Sequence, residues 1–239
     1  MHFELATLET CSTVTGCVVV VDVWRSFTTT AYAFAAGVPD ILVAGSEEEA
    51  FELRQRFPGT VLIGMGELGG SPAEGFDFGN SPSELLAGDL GKRRVILCTP
   101  NGTPGLVRSA SAQTLLAGSF VCAGATARYL EQYGADRVTF VCTETGIEDR
   151  AFVEYMTKLQ QGKSVDGPEM LEKIRQAALQ HADTLIARGR LTQAQADRLA
   201  VDLDCCLALD RFDFTMVVQP WDGLLKMVPS TGSGRMTYA

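Results

Sequence analysis

The sequence predicts an α/β fold, a mostly parallel or mixed sheet covered by helices, with a helical excursion near residues 150–210. Three observations predict it. Short apolar runs of strand length alternate with helical patterns through the first two-thirds of the chain. The run Val18-Val19-Val20-Val21 is apolar without alternation, as in a strand buried on both faces of a parallel sheet. From residue 168 to 209 the alternation gives way to helical patterning, broken at Arg188-Gly189-Arg190.

Taken in order, strands are expected over 17–23, 41–44, 61–64, 94–98, 114–117 and 138–142. Helices are expected between them over 28–36, 47–57, 82–87, 103–109 and 123–133. Another helix fits 149–160, ended by Gly162, and Thr192 is a good N-cap for the helix after the break at 188–190. Two short strand patterns, 215–218 and 224–228, close the series and are expected to rejoin the sheet. The organisation read from this is a single α/β domain over 1–229, with a division into two lobes near 120–150 left open. The Ser- and Gly-containing end, 230–239, reads as a flexible tail.

The chain has 239 residues and a net charge of −9. That charge argues against a nucleic-acid surface but not against a small anionic substrate, because one arginine, backbone amides or a cation can reverse the field in a cleft. No apolar segment approaches the length of a membrane span, and the first residues do not read as a signal peptide. The seven cysteines are odd in number and contain no C-x-x-C pair. Reduced thiols in a cytoplasmic protein are the expectation. Cys98 lacks the arginine spacing of a C-x5-R phosphate loop and reads as structural.

The candidate chemistry lies where strands end, the edge at which open α/β sheets bind ligands. Asp22 closes the valine strand and Arg25 follows three residues later, an acid for a cation or proton beside a fork for an anion. The alternative is a helix-terminal acid and a surface arginine. Gly66-Glu67 adds a carboxylate from a second strand end, in a glycine-dense loop that is neither a P-loop nor a dinucleotide fingerprint. Asn80-Ser81-Pro82 reads as a helix cap whose amides could face an anion. Asn101-Gly102-Thr103 offers a turn and a second possible amide nest, with Thr103 as a potential cap. Glu144, Glu148 and Asp149 gather after another strand. Hard oxygen ligands from separate loops suit Mg²⁺. Asp202, Asp204, Asp210, Arg211 and Asp213 form a late acidic stretch, expected to be mostly solvated, with Asp210-Arg211 an outside candidate for the cleft.

Together, from about residue 17 to 228, these motifs resemble the 2-phosphosulfolactate phosphatase family. The resemblance rests on Val21-Asp22-Val23-Trp24-Arg25, Gly66-Glu67, Gly75-Phe76-Asp77-Phe78-Gly79-Asn80-Ser81-Pro82, Asn101-Gly102-Thr103, Gly118-Ser119-Phe120, Glu148-Asp149 and Asp210-Arg211-Phe212-Asp213. It implies a Mg²⁺-dependent cytoplasmic phosphatase that converts 2-phospho-3-sulfolactate to 3-sulfolactate, a step toward coenzyme M. The implied metal ligands are Asp22, Glu67, Glu148 and Asp149. Asp22, Arg25 and Glu67 would be catalytic, and Arg25, Ser26, Asn80, Ser81, Asn101, Gly102 and Thr103 would bind substrate. The expected partner is a small anionic phosphorylated metabolite, with no nucleic acid and no membrane, and self-association into a homo-oligomer is left open. Two positions depart from the family's pattern. Leu68 stands where Gly-Glu-Arg-Gly-Gly often has arginine, and Cys142-Thr143-Glu144 replaces a frequent Cys-Ala-Gly. Phosphatase action on another small phosphoester, and non-catalytic binding of an anionic metabolite, are the alternatives.

Overall fold

The computed structural model describes residues 1–144 and 146–231. The tail expected over 230–239 lies outside them from residue 232 onward, and Ser230 itself closes the last strand. In chain order the elements are β1 (His2–Thr7), β2 (Cys17–Val21), α1 (Ser26–Ala35), β3 (Ile41–Val43), α2 (Glu47–Arg56), β4 (Val61–Gly64), β5 (Phe78–Gly79), α3 (Pro82–Ala87), β6 (Val95–Leu97), α4 (Gly102–Arg108), β7 (Thr114–Gly118), α5 (Ala123–Tyr133), β8 (Arg137–Cys142), α6 (Ile147–Gln160), α7 (Gly167–Ala187), α8 (Gln193–Cys206), β9 (Thr215–Trp221) and β10 (Leu224–Ser230).

The strands form one sheet in the order β1-β8-β2-β7-β9-β10-β3-β6-β4-β5. β1, β8, β2 and β7 run parallel to one another, as do β3, β6, β4 and β5. The β9–β10 hairpin lies between these quartets, antiparallel to β7 on one side and to β3 on the other. Three antiparallel steps reverse direction, so the two quartets run oppositely. In a flat sheet their carboxyl ends would lie on opposite edges. Instead, Asn80 after β5 approaches Ser26 after β2, and Gly102 after β6 abuts Asp22. The sheet is therefore curled, with α1, α3 and α4 inside the curl.

This curl accounts for the unalternating valine run. Val18 and Val20 face an inner core with Phe27 of α1, Leu85 of α3, Leu106 of α4 and residues of the opposite quartet, including Ile63 and Leu97. Cys17, Val19 and Val21 face an outer core under α5 to α8. The second quartet buries its outer face, Leu42, Leu62 and Ile96, under Ala50 and Leu53 of α2. Each fully buried valine contributes roughly 1.5–3 kcal/mol relative to exposure.

Two strands carry little sequence signal. β1 is an edge strand with only Ala6 buried, and β5 is two residues long. The expected strands over 41–44, 94–98 and 17–23 are shorter than anticipated, and β9 and β10 are longer. Thr192 caps α8 in a reciprocal capping box with Gln195, an arrangement whose loss costs about 0.5–2 kcal/mol. Among the described residues no helix is long and apolar enough to cross a membrane.

Candidate active site

Asp22 sits immediately after β2, where its amide still bonds Gly118 of β7. Its carboxylate turns back onto the next helix. Oδ1 accepts the Ser26 amide at 3.0 Å and Oδ2 accepts the Ser26 hydroxyl at 2.6 Å. The acid thus caps α1 from outside, and the helix starts at Ser26 rather than at the expected residue 28. A β-carbon built on Gly102 would stand 2.8 Å from Asp22 Oδ2 and 2.7 Å from Ser26 Oγ. Only glycine lets the α4 backbone from one quartet reach the acid of the other.

Arg25 is buried, and its guanidinium donates to Asp202 Oδ2 at 2.5 Å. The other oxygen of Asp202 accepts Ser81 Oγ at 2.7 Å, the Ser83 amide at 3.0 Å and Ser83 Oγ at 2.6 Å. The anion at the start of α3 is therefore the chain's own Asp202. Ser81 does cap α3, accepting the Glu84 amide. Asp202 belongs to the late stretch expected to be mostly solvated, yet it is 1% exposed. The signal was present: Ala196, Leu199, Leu203 and Cys206 mark the buried stripe of α8, and Asp202, three after Leu199 and four before Cys206, falls on it. Asp204 is solvated and pairs with Arg175, Asp213 pairs with Arg128, and Asp210 accepts the Gly124 amide. Neither Asp210 nor Arg211 lines the cavity.

A cavity of about 670 Å³ opens on this edge, walled by Asp22, Arg25, Ser26, Asn80, Asn101 and Glu148 among others. An adjoining pocket of about 340 Å³ shares Arg25 and Asn80 and adds Glu67, Ser81, Arg198 and Asp202. Glu67 is exposed on that second wall, separate from Asp22. Asp149 is buried behind the first wall. Its Oδ1 accepts the Val23 amide at 3.0 Å and its Oδ2 the Glu144 amide at 3.4 Å, tying the loop after β2 to the loop after β8. Asn101 Nδ2 donates to Glu144 Oε1 at 2.5 Å. The helix cap expected of Thr103 is not made. α4 begins at Gly102 with Asn101 as its N-cap residue, and the buried Thr103 hydroxyl bonds the amide and carbonyl of Thr99. Ser119 instead pairs with Thr28 at 2.6 Å.

Electrostatically the edge is an acidic well. Burial raises the Asp22 carboxyl above the usual range, the Ser26 hydrogen bonds oppose this, and Glu144 repulsion adds to it. Burial, then repulsion from Asp22, raises Asp149 well above that range. Burial, with Glu144 and Asp22 nearby, raises Glu148. Such repulsion is what a divalent cation relieves. Among the described residues no three His, Cys, Asp or Glu side chains converge as a ready metal cage. The donors fit Mg²⁺ in its common mode, one or two carboxylates completed by waters and phosphate oxygens. Trp24 Nε1 and Asn80 Oδ1, buried atoms of cavity-lining residues, have no hydrogen-bond partner among the described residues.

The family model described as 2-phosphosulpholactate phosphatase matches residues 4–220. A probable 2-phosphosulfolactate phosphatase of Deinococcus radiodurans is 28% identical over 212 residues, 85% of this chain and 88% of that protein. One of Bacillus subtilis, with the same description, is 31% identical over 161 residues, 66% of this chain and 70% of that one. One of Carboxydothermus hydrogenoformans is 41% identical over 145 residues, a match spanning 59% of each chain.

Proposed function

We propose that this chain, which belongs to the 2-phosphosulpholactate phosphatase family, is a phosphoric monoester hydrolase that hydrolyses a 2-phosphorylated hydroxy acid to the hydroxy acid and phosphate, the substrate class that includes 2-phospho-3-sulfolactate. One observation carries the reading. Asp22 is held by Ser26 against the Gly102 backbone and lines the same cavity as Arg25. Acid and fork come from one strand end, with donors from two further loops around them.

Arg25 would receive the phosphoryl oxygens. Asp202 fixes its orientation through one nitrogen, and Arg has further donors in its planar fork. Asn80 and Asn101 would complete the polar wall. Asp22 and Glu148 would hold Mg²⁺, with Asp149 behind them fixing both loops and Glu67 on the adjoining wall. When bound, the ion would neutralise charge on the phosphoryl oxygens. Phosphoryl transfer needs mainly positioning and charge stabilisation, so the shape of the acidic well matters more than a proton relay. Ser26 keeps Asp22 aimed.

The test is phosphate release from a panel of 2-phosphorylated hydroxy acids, with and without Mg²⁺. Turnover that requires the ion and disappears in Asp22→Asn, while the thermal melt persists, supports the reading. Full activity in that variant would remove Asp22 from the chemistry. Binding of the panel without turnover would favour a metabolite-binding role.

A further inference from the structure

The main cavity carries two kinds of wall, and the difference bears on the substrate. The inference rests on the phosphatase reading above. The polar wall is the carboxyl edge around Asp22 and Asn80. The rest is largely apolar: Ala178, Ala182 and Leu185 of α7, Leu199 of α8, and Leu68 from the loop after β4. Leu68 is 50% exposed, a large aliphatic side chain at the mouth of a cleft, where a ligand would cover it.

The charge balance points the same way. Among the described residues that line the cavity the acids are Asp22, Glu144 and Glu148, Arg25 is the arginine and no lysine joins it. Arg25 is already committed in part to Asp202. A phosphate and a carboxylate can be met by Arg25, a divalent cation and amide donors. Within this cavity a further sulfonate would lie against leucine and alanine, because Arg198 lines the adjoining pocket and donates to the Gly69 carbonyl, and a charge set on an apolar wall without a partner is costly. The volume of about 670 Å³ falls within the 300–1,000 Å³ that larger organic ligands fill, so a three-carbon acid occupies a minor part of it.

We infer that the site takes 2-phospho acids whose C3 substituent is a hydrocarbon or aromatic group rather than a sulfonate, with Leu68 as a specificity-determining residue. Leu68 lines the cavity with half its surface free, so it offers a C3 substituent an apolar contact. The apolar faces of α7 and α8 continue that contact into the cavity.

The experiment compares three compounds that differ only at C3: 2-phospho-3-sulfolactate, 2-phospholactate and 2-phospho-3-phenyllactate. Phosphate release is measured with Mg²⁺ present. Wild-type kcat/KM is expected to be at least about tenfold higher for the phenyl compound than for the sulfonate, and Leu68→Arg is expected to reverse the order. His181→Ala is expected to keep it. A wild-type preference for the sulfonate, or values within about threefold of each other, would overturn the inference. So would a Leu68→Arg variant with an unchanged order. If no compound releases phosphate, the phosphatase reading fails. Calorimetric binding of the same three compounds then decides the substrate class: tighter phenyl binding supports the inference, while tighter sulfonate binding or no binding overturns it.

Discussion

Replacing Asp202 tests the architecture most severely, because the residue does four things at once. It pairs with Arg25 and accepts from Ser81 Oγ, the Ser83 amide and Ser83 Oγ. Arg25 and Asp202 are 8% and 1% exposed, so Asp202→Ala strands a buried guanidinium. Removing one partner of a buried pair costs about 3–5 kcal/mol. For a chain of this size each kcal/mol is about 2–4 °C in Tm, so the melt should fall by roughly 6–20 °C. Asp202→Asn keeps an acceptor for the serines but loses the charge and turns an NH2 donor toward Arg25, and should still cost at least about 1–3 kcal/mol. The double variant Arg25→Met/Asp202→Leu removes both charges together, and apolar replacement of a buried pair is often neutral. It should recover most of the stability while phosphatase activity stays lost. Differential scanning calorimetry with phosphate release reads all three variants. If Asp202→Ala melts within about 2 °C of wild type, the pair is not buried as described. If the double variant keeps wild-type turnover, Arg25 is not the anion fork.

Other expectations follow from the same geometry. Gly102→Ala places a methyl against Asp22 and Ser26, so activity should drop at least about 100-fold for a stability cost of about 1–3 kcal/mol; unchanged kinetics would mean that the two loops are not this close. Asp22, Glu148 and Asp149 are raised in the folded state, so above about pH 4 the native protein retains protons that the unfolded chain has released. Stability therefore falls as pH rises toward their folded values. Without Mg²⁺, the fall in Tm from weakly acidic to neutral pH should be smaller in Asp22→Asn than in wild type, and Mg²⁺ should flatten the wild-type curve; equal slopes would contradict the acidic well. Burial pushes the thiols of Cys17 and Cys98 up to about 12 and that of Cys142 to about 11, so iodoacetamide near pH 8 should leave them unlabelled until the protein is denatured, as peptide mass mapping can show.

The parts of the fold legible in the sequence were those with strong local patterns. The valine strand, the capped start at Pro82 and the Thr192 cap each depend on neighbours within a few residues, and each formed as expected. What escaped depended on partners far along the chain. β1 is recruited by β8, and its short polar-apolar alternation does not match its burial, with Leu5 exposed and Ala6 buried. The antiparallel hairpin that turns one parallel quartet against the other is not encoded in any single strand. At the site, Asp22 and Arg25 stood out because an apolar run ended on them. Asp202 was passed over because it lies among acids that really are solvated, and only the helical stripe of α8 separates it from them. Glu67 and Asp149 were readable as strand-end acids, but local sequence could not say that one faces a second pocket and the other is taken up by backbone amides. His181 and Leu185 had no motif at all, and the packing of α7 brings them to the cavity.

The central claim is that strand ends from both quartets enclose one phosphate-handling well. A crystal grown with Mg²⁺ and orthophosphate tests it most directly. The account predicts an ion against Asp22 and Glu148 with phosphate beside Arg25. Density for both placed away from Arg25, or an Asp22 carboxylate turned out of the cavity, would contradict it.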